Sequence, residues 1–289
     1  MLLIFNLIII QLIVFNLCPN KQTPIAIHPE NGKYFIYKGK PTVLIGSTEH
    51  YGALMNLSFD YMTYFETLKN EGLNITRTFT GVYTENKPFF GIVDNNMAVD
   101  SGMLICPWAR SETPGYSNGG NKFDLSKWNE AYFARLHDFM QTADKCGVIV
   151  EMVLFSNNYF QDLWELSPMH PNNNINLTDS IDIKDALSMS KAGLYTFQTD
   201  FVKKMVLELN KYDNFYYEIC NEPYIFGHAG NEWQDAIIDT LVKTEDNLPK
   251  KHLIAINYEN GSRRIESLHP AVSIILIIHS PLNTRAAPV

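Results

Sequence analysis

Glu218 and Glu222 are the residues whose type and spacing most directly suggest chemistry. They sit in Phe215-Tyr216-Tyr217-Glu218-Ile219-Cys220-Asn221-Glu222-Pro223, an aromatic and apolar run of strand length. Proline donates nothing to a sheet ladder, so the strand is expected to stop at Pro223, leaving Glu222 at the rim of its sheet. Side-chain alternation puts Glu218, Cys220 and Glu222 on one face. Two carboxylates on an apolar strand are costly unless they have partners or work to do. A structural salt bridge meets the first condition. A reaction at the sheet's rim meets the second.

The elements that must position this strand alternate in type. Tyr34-Phe35-Ile36-Tyr37 and Thr42-Val43-Leu44-Ile45 flank Lys38-Gly39-Lys40-Pro41, which predicts a hairpin leading into a first core strand. A polar loop from Gly46 to Gly52 follows. Asp60 to Glu71 has helical spacing at Tyr61, Tyr64, Phe65 and Leu68, with Gly72 as its stop. Leu73 to Phe79 is the second strand. A long connection rich in Gly, Pro, Asn and Ser runs from Thr80 to about Lys127, a length that is usually functional in an ordered domain. Trp128 to Lys145 reads as an amphipathic helix, and Val148 to Phe155 as a third strand, apolar enough to be covered on both faces. Ser156 to Ser190 is a second long loop, and Leu194 to Asn210 the next helix. After the Phe215 strand come a helix over Asn231 to Asn247, a strand over His252 to Asn257, a short link through Arg263 and a strand over Val272 to His279. Strand, helix, strand in this order predicts a parallel sheet of six strands.

Composition narrows the classes. The chain has 289 residues, 46% of them hydrophobic, enough for a large core. A net charge of −8 and no basic stripe argue against a nucleic-acid partner. The four cysteines show no CxxC spacing and the eight histidines no HExxH pairing, so no metal or other cofactor is expected. Met1 to Leu17 is almost wholly apolar, and residues 1–18 read as a signal peptide or membrane anchor. Secretion or residence in the cell envelope follows, with membrane contact confined to that segment.

Four local matches give the chain a resemblance to the clan A glycoside hydrolases, the cellulase-like (β/α)8 barrels. Asn221-Glu222-Pro223 resembles the end of their fourth strand. Asn74 to Arg77 looks like their second strand, which ends in an arginine supporting the catalytic carboxylates. Tyr34 to Ser47 is similar to their basal hairpin. Tyr132 to Leu136 running on to Gly147-Val148-Ile149-Val150 is similar to their passage from helix to third strand. The resemblance covers Tyr34 to His279 and implies hydrolysis of O-glycosidic bonds with retention, Glu222 as general acid/base and Asn221 as ligand of the sugar 2-hydroxyl. Arg77 would be a supporting cation. His50, Trp108, Trp164, Tyr258 and His279, all placed after strands or on the long loops, would line the carbohydrate site.

The resemblance is incomplete. A retaining glycosidase needs a second carboxylate about 5 Å from the first. In the clan it ends strand seven, and nothing after Glu266 is acidic. Glu49 and Glu259 are rim carboxylates outside the clan's pattern; Glu151 and Glu218, deep in their strands, read as structural. Residues 34–289 therefore read as a (β/α)8 glycosidase domain with about six βα units, lacking its last two and inactive as it stands. Two rivals remain at this level: a carbohydrate-binding relative without catalysis, and an open-sheet α/β enzyme. The loop from Gly46 to Gly52 lacks the phosphate-binding spacing the second would favour.

Overall fold

Apolar runs become the parallel strands, and the amphipathic stretches become the helices that cover them. The structure is a computed structural model describing residues 23–47, 50–87, 89–224, 229–258 and 268–277. The leader segment 1–18, Glu49, Glu259 and His279 lie outside the described residues, as does most of the link after Arg263. No helix among the described residues is long and apolar enough to cross a membrane.

Three short strands, β1 (Ala26–Ile27), β2 (Phe35–Tyr37) and β3 (Lys40–Thr42), form an antiparallel sheet in that order. Helix α1 (Tyr61–Asn70) is capped by Asp60, whose carboxylate accepts from the Thr63 N–H at 3.1 Å. It precedes β4 (Ile75–Phe79). The connection after β4 contains its own hairpin, β5 (Trp108–Pro114) and β6 (Asn121–Trp128). Trp128 therefore ends a strand, and α2 (Glu130–Cys146) starts after it, capped by Asn129 and closed by Gly147 at φ 74°. Then come β7 (Ile149–Ser156), the short α3 (Gln161–Trp164), α4 (Ala192–Leu209), β8 (Phe215–Asn221), α5 (Asn231–Glu245), β9 (Ile254–Tyr258) and β10 (Ile274–Ile277).

The main sheet is parallel, with order β4-β7-β8-β9-β10, each strand beside its predecessor in the α/β alternation. That is the winding of a (β/α)8 barrel, although five strands do not close one among the described residues. The expected first core strand is reduced to one parallel bridge, Gly46 to Ile75. Asn74 supplies what the ladder lacks: its side chain accepts from the Ile45 N–H at 2.7 Å and donates to the Val43 carbonyl at 2.8 Å. Val43 and Ile45 remain 53% and 58% exposed, because no further strand lies against them among the described residues.

Two apolar clusters pack against the sheet. The larger joins it to the helices, where Phe155 meets Phe201 of α4 and Trp233 of α5 edge-on at 5.4 and 5.2 Å. The smaller lies at the N-terminal ends of the strands, where Ile25, Phe35 and Leu44 pack on Ile149, Tyr216 and Ala255. The antiparallel sheet thus plugs one end, leaving the C-terminal strand ends to carry the site.

A β-carbon at Gly46 would stand 2.5 Å from the Ile75 carbonyl oxygen, which is backbone and does not yield. Gly46→Ala is expected to lower stability by about 1–3 kcal/mol in urea unfolding, with a wild-type midpoint arguing against the bridge.

Candidate active site

Arg77 points into the inner face of the sheet from the middle of β4, beside Glu151 in register on β7. Its guanidinium forms a two-pronged pair with Glu218: Nε donates to Oε2 at 2.7 Å and Nη2 to Oε1 at 2.6 Å. Glu218 is fully buried, so this pair removes the cost of its charge. The Tyr51 and Phe79 rings lie against the guanidinium at 5.0 and 5.1 Å. Burial opposes the charge on Arg77, yet Glu218 and then Glu151 outweigh it and raise its pKa above the ordinary arginine value.

Glu151 lies 3.7 Å from the same guanidinium and makes no direct hydrogen bond with it. Its pKa is pushed up to about 8, first by burial and then by the Glu218 charge, with Arg77 only partly offsetting both. One cation is shared by two buried acids, and the better-bonded one keeps it.

Arg77 Nη2 also donates to Asn221 Oδ1 at 2.8 Å. Glu218 and Asn221 are three residues apart, so strict alternation would send them to opposite faces. The end of β8 turns instead, and Glu222 has φ 43°, a left-handed conformation that costs a non-glycine residue about 1–2 kcal/mol. The expectation that Glu218, Cys220 and Glu222 simply share a face is corrected accordingly: Asn221 and Glu218 are the pair that shares Arg77.

An arginine only donates, so Asn221 must turn its oxygen to Arg77 and its nitrogen away. That nitrogen donates to Tyr159 Oη at 2.8 Å and to Ser156 Oγ at 3.2 Å. Tyr159 donates its own hydrogen to Glu222 Oε2. Tyr224 donates to Glu222 Oε1 at a long 3.4 Å. The donors thus run in one direction, Arg77 to Asn221 to Tyr159 to Glu222. Burial and then the Glu222 charge push the Tyr159 hydroxyl pKa up, so it stays a donor. Both amide hydrogens of Asn221 are engaged here, leaving a sugar hydroxyl only its remaining oxygen lone pair.

A further carboxylate adjoins this set. Glu85 accepts from Tyr83 at 3.1 Å and from Asn95 at 2.6 Å, and its pKa is raised, chiefly by burial. Tyr83 meets the Tyr159 ring edge-on at 6.1 Å. Sequence reading passed over Glu85 because the long loop has no periodicity to mark it.

The remaining expected site residues are dispersed. Trp108 is fully buried against Trp128 and Phe201, at 6.5 and 5.5 Å, as the first residue of the unforeseen hairpin. Trp164 is 2% exposed, donates to the Ile181 carbonyl at 3.0 Å and packs on His170. Neither offers a ring face to a ligand. The two long loops bind each other, through Tyr116 to the Leu166 carbonyl at 2.9 Å and Ser117 to the Glu165 carbonyl at 2.7 Å. His50 packs on Phe59 and Tyr64 and pairs with Asn96 at 3.0 Å, outside the Glu222 set. Tyr258 lines a cavity with Pro223 and Tyr224, which adjoin Glu222. No group of three or more His, Cys, Asp or Glu among the described residues is arranged to hold a metal ion.

No family model and no curated protein matches this sequence. Solved structures do match its fold. A Bacteroides vulgatus protein described as a glycoside hydrolase superposes with TM-score 0.57 at 14% identity, over 84% of this chain and 40% of that one. A family 5 mannosidase from Rhizomucor miehei gives 0.52 at 16% identity, over 81% of this chain and 55% of that one. A variant of the latter, solved with mannosyl-fructose, gives 0.51 at 16% identity with the same two coverages. This chain therefore spans about half the length of the glycoside hydrolases whose fold it shares.

Arg77→Met is expected to cost about 3–5 kcal/mol in denaturant unfolding by stranding the buried Glu218 charge, and adding Glu218→Gln should recover part of that loss. Additive losses would mean that the pair is not what stabilises this face. Glu151 makes a separate prediction. Its folded pKa lies above its unfolded one, so its contribution is complete below the unfolded value and is lost as pH rises toward about 8. Glu151→Gln should flatten the fall in stability across that window; an unchanged slope would place the titration elsewhere.

Proposed function

We propose that the chain carries the acid half of a retaining glycoside hydrolase acting on O-glycosidic bonds of an oligo- or polysaccharide. The observation that carries this is the directed set of donors ending on Glu222, at the C-terminal end of a strand in a sheet wound like those of glycoside hydrolases. Active sites of (β/α)8 enzymes occupy that end.

Tyr159 holds Glu222 Oε2, while Tyr224 reaches Oε1 only at 3.4 Å, so Oε1 is the oxygen that gives a proton to the leaving glycosidic oxygen and later takes one from water. Tyr159 and Asn221 hold the carboxyl in place, and Arg77 fixes Asn221. These are positioning roles, and Glu222 is the catalytic residue. Asn221 reaches the sugar 2-hydroxyl through its oxygen. The substrate class is a hexopyranoside; a mannoside is the form suggested by the Rhizomucor miehei mannosidase and its mannosyl-fructose complex.

Retention requires a nucleophilic carboxylate about 5 Å from the acid. Among the described residues no second carboxylate shares a hydrogen bond or ion pair with Glu222, and Glu85 is joined to it only through Tyr83 and Tyr159. The chain of 289 residues is accordingly expected to bind oligosaccharide with little or no turnover. Calorimetric titration with manno- and gluco-oligosaccharides, with chromatography of the same samples, tests both parts. Binding that weakens in Asn221→Ala without product is the expected result. Product formation abolished in Glu222→Gln would keep the acid/base role and refute the missing nucleophile. Absence of any oligosaccharide binding would refute the glycosidase reading.

A further inference from the structure

Glu151 is a buried acid that the proposed reaction leaves unused. It stands in register with Arg77 of β4 on one side and Tyr216 of β8 on the other. Its Oε1 has no hydrogen-bond partner among the described residues, and the Arg77 donor facing it, Nε, is 3.7 Å away. The gap is about 1 Å too long for a hydrogen bond. Buried carboxyl oxygens are ordinarily paired, so an orphaned one beside a guanidinium requires an explanation.

The three bonds that Arg77 does make differ in strength. Two are short and charge-assisted, from Nε and Nη2 to Glu218 at 2.7 and 2.6 Å. The third runs from Nη2 to Asn221 Oδ1 at 2.8 Å, and its acceptor is a neutral amide, which makes it the weakest. With Glu151 uncharged, nothing competes for the guanidinium and all three bonds stand. With Glu151 charged, a second buried anion pulls on the Nε side, and closing the gap moves the guanidinium by about 1 Å. The Glu218 bonds withstand that pull, and the Asn221 bond is the one that yields.

The groups facing Glu151 set where the change falls. These are Arg77 from β4 and Tyr216 and Glu218 from β8, with the Tyr51 ring lying against the guanidinium. Burial and then the Glu218 charge push the Glu151 pKa up to about 8, and Arg77 offsets them only in part. Burial, followed by the Glu151 charge, raises the Tyr216 pKa well above the ordinary tyrosine value, so its hydroxyl stays neutral through this range. Glu151 is therefore uncharged below about pH 8 and charged above it.

We infer that Glu151 is a positioning residue of the site: uncharged, it leaves Arg77 on Asn221, and charged, it draws Arg77 off and releases the amide that directs Tyr159 at Glu222. The consequence for catalysis rests on the proposed role of Glu222. The movement itself belongs to Arg77, Glu151, Glu218 and Asn221 alone.

Nuclear magnetic resonance of the full chain, with carbon-labelled glutamate carboxyls and nitrogen-labelled asparagine amides, tests this across the pH window. The Asn221 side-chain signals are identified by their absence in Asn221→Ala. In the wild type the Glu151 carboxyl and the Asn221 amide should titrate together, with a midpoint near 8. Glu151→Gln, uncharged at every pH, should keep the Asn221 signals at their acid position throughout. At one alkaline pH, the Asn221 amide hydrogens should exchange with water about tenfold faster in the wild type than in Glu151→Gln. A Glu151 carboxyl that keeps one form across the window, an Asn221 amide that stays in place while Glu151 titrates, or an equal movement in Glu151→Gln would each overturn the inference. The first two outcomes need no variant, so the test survives a Glu151→Gln that folds poorly. No sugar or turnover enters these readouts, so an absence of oligosaccharide binding would end the glycosidase reading and leave the movement standing. Where oligosaccharide binds, its affinity should fall about tenfold or more across the window in the wild type and stay level in Glu151→Gln; a level affinity in both would remove the positioning role.

Discussion

The guanidinium of Arg77 is the constraint on which the site depends. It is almost fully buried and surrounded by Glu218, Glu151 and Asn221, and it has only donors to offer. Its charge needs Glu218, and Glu218, with no exposure at all, needs it in return. Because an arginine accepts nothing, its third contact fixes which way the Asn221 amide faces. That choice decides which atom of Asn221 meets Tyr159, and hence that Tyr159 directs its hydrogen at Glu222. A buried ion pair deep in the sheet thereby sets the hydrogen bonding of a carboxylate at its rim. Such pairs add little net stability in general, and here the specificity they impose is the larger effect.

The backbone serves the same end. Glu222 occupies a left-handed conformation before a proline, where a non-glycine residue stays only if its surroundings hold it. Tyr159, from the loop after β7, provides one of those holds. The two long loops bond to each other, and their tryptophans Trp108 and Trp164 are buried. At the opposite end the small antiparallel sheet fills the space between strands. The candidate site thus lies at one end of the sheet, in a fold the chain shares with glycoside hydrolases across about half their length.

Much of this was legible in the sequence where pattern has one physical cause. Apolar runs in β7 and β8 and the helical spacing of α1, α2 and α4 report burial directly, and Pro223 marked the strand end within a residue. The parallel order followed from alternation alone. The Glu222 neighbourhood was legible in part: Asn221 and Arg77 were named, and Glu218 and Glu151 read as structural. Other features depend on tertiary geometry that no local pattern encodes. The hairpin of β5 and β6 is built of mixed polar residues, so its first residue, Trp108, looked like a loop aromatic and is core. The first core strand had the right composition, yet Asn74 satisfies its backbone through a side chain and only Gly46 pairs. The role of Tyr159 was not legible, because sequence does not show where a hydroxyl points.

The direction of the hydrogen-bond chain is the central claim, and neutron diffraction from deuterated crystals tests it most directly. Deuterium should appear on Tyr159 Oη pointing at Glu222 Oε2, on Asn221 Nδ2 facing Tyr159, and not on the Asn221 atom that meets Arg77. An Asn221 amide turned the other way, or a Tyr159 deuterium directed at Asn221, would contradict it and detach Glu222 from the arginine that is held to position it.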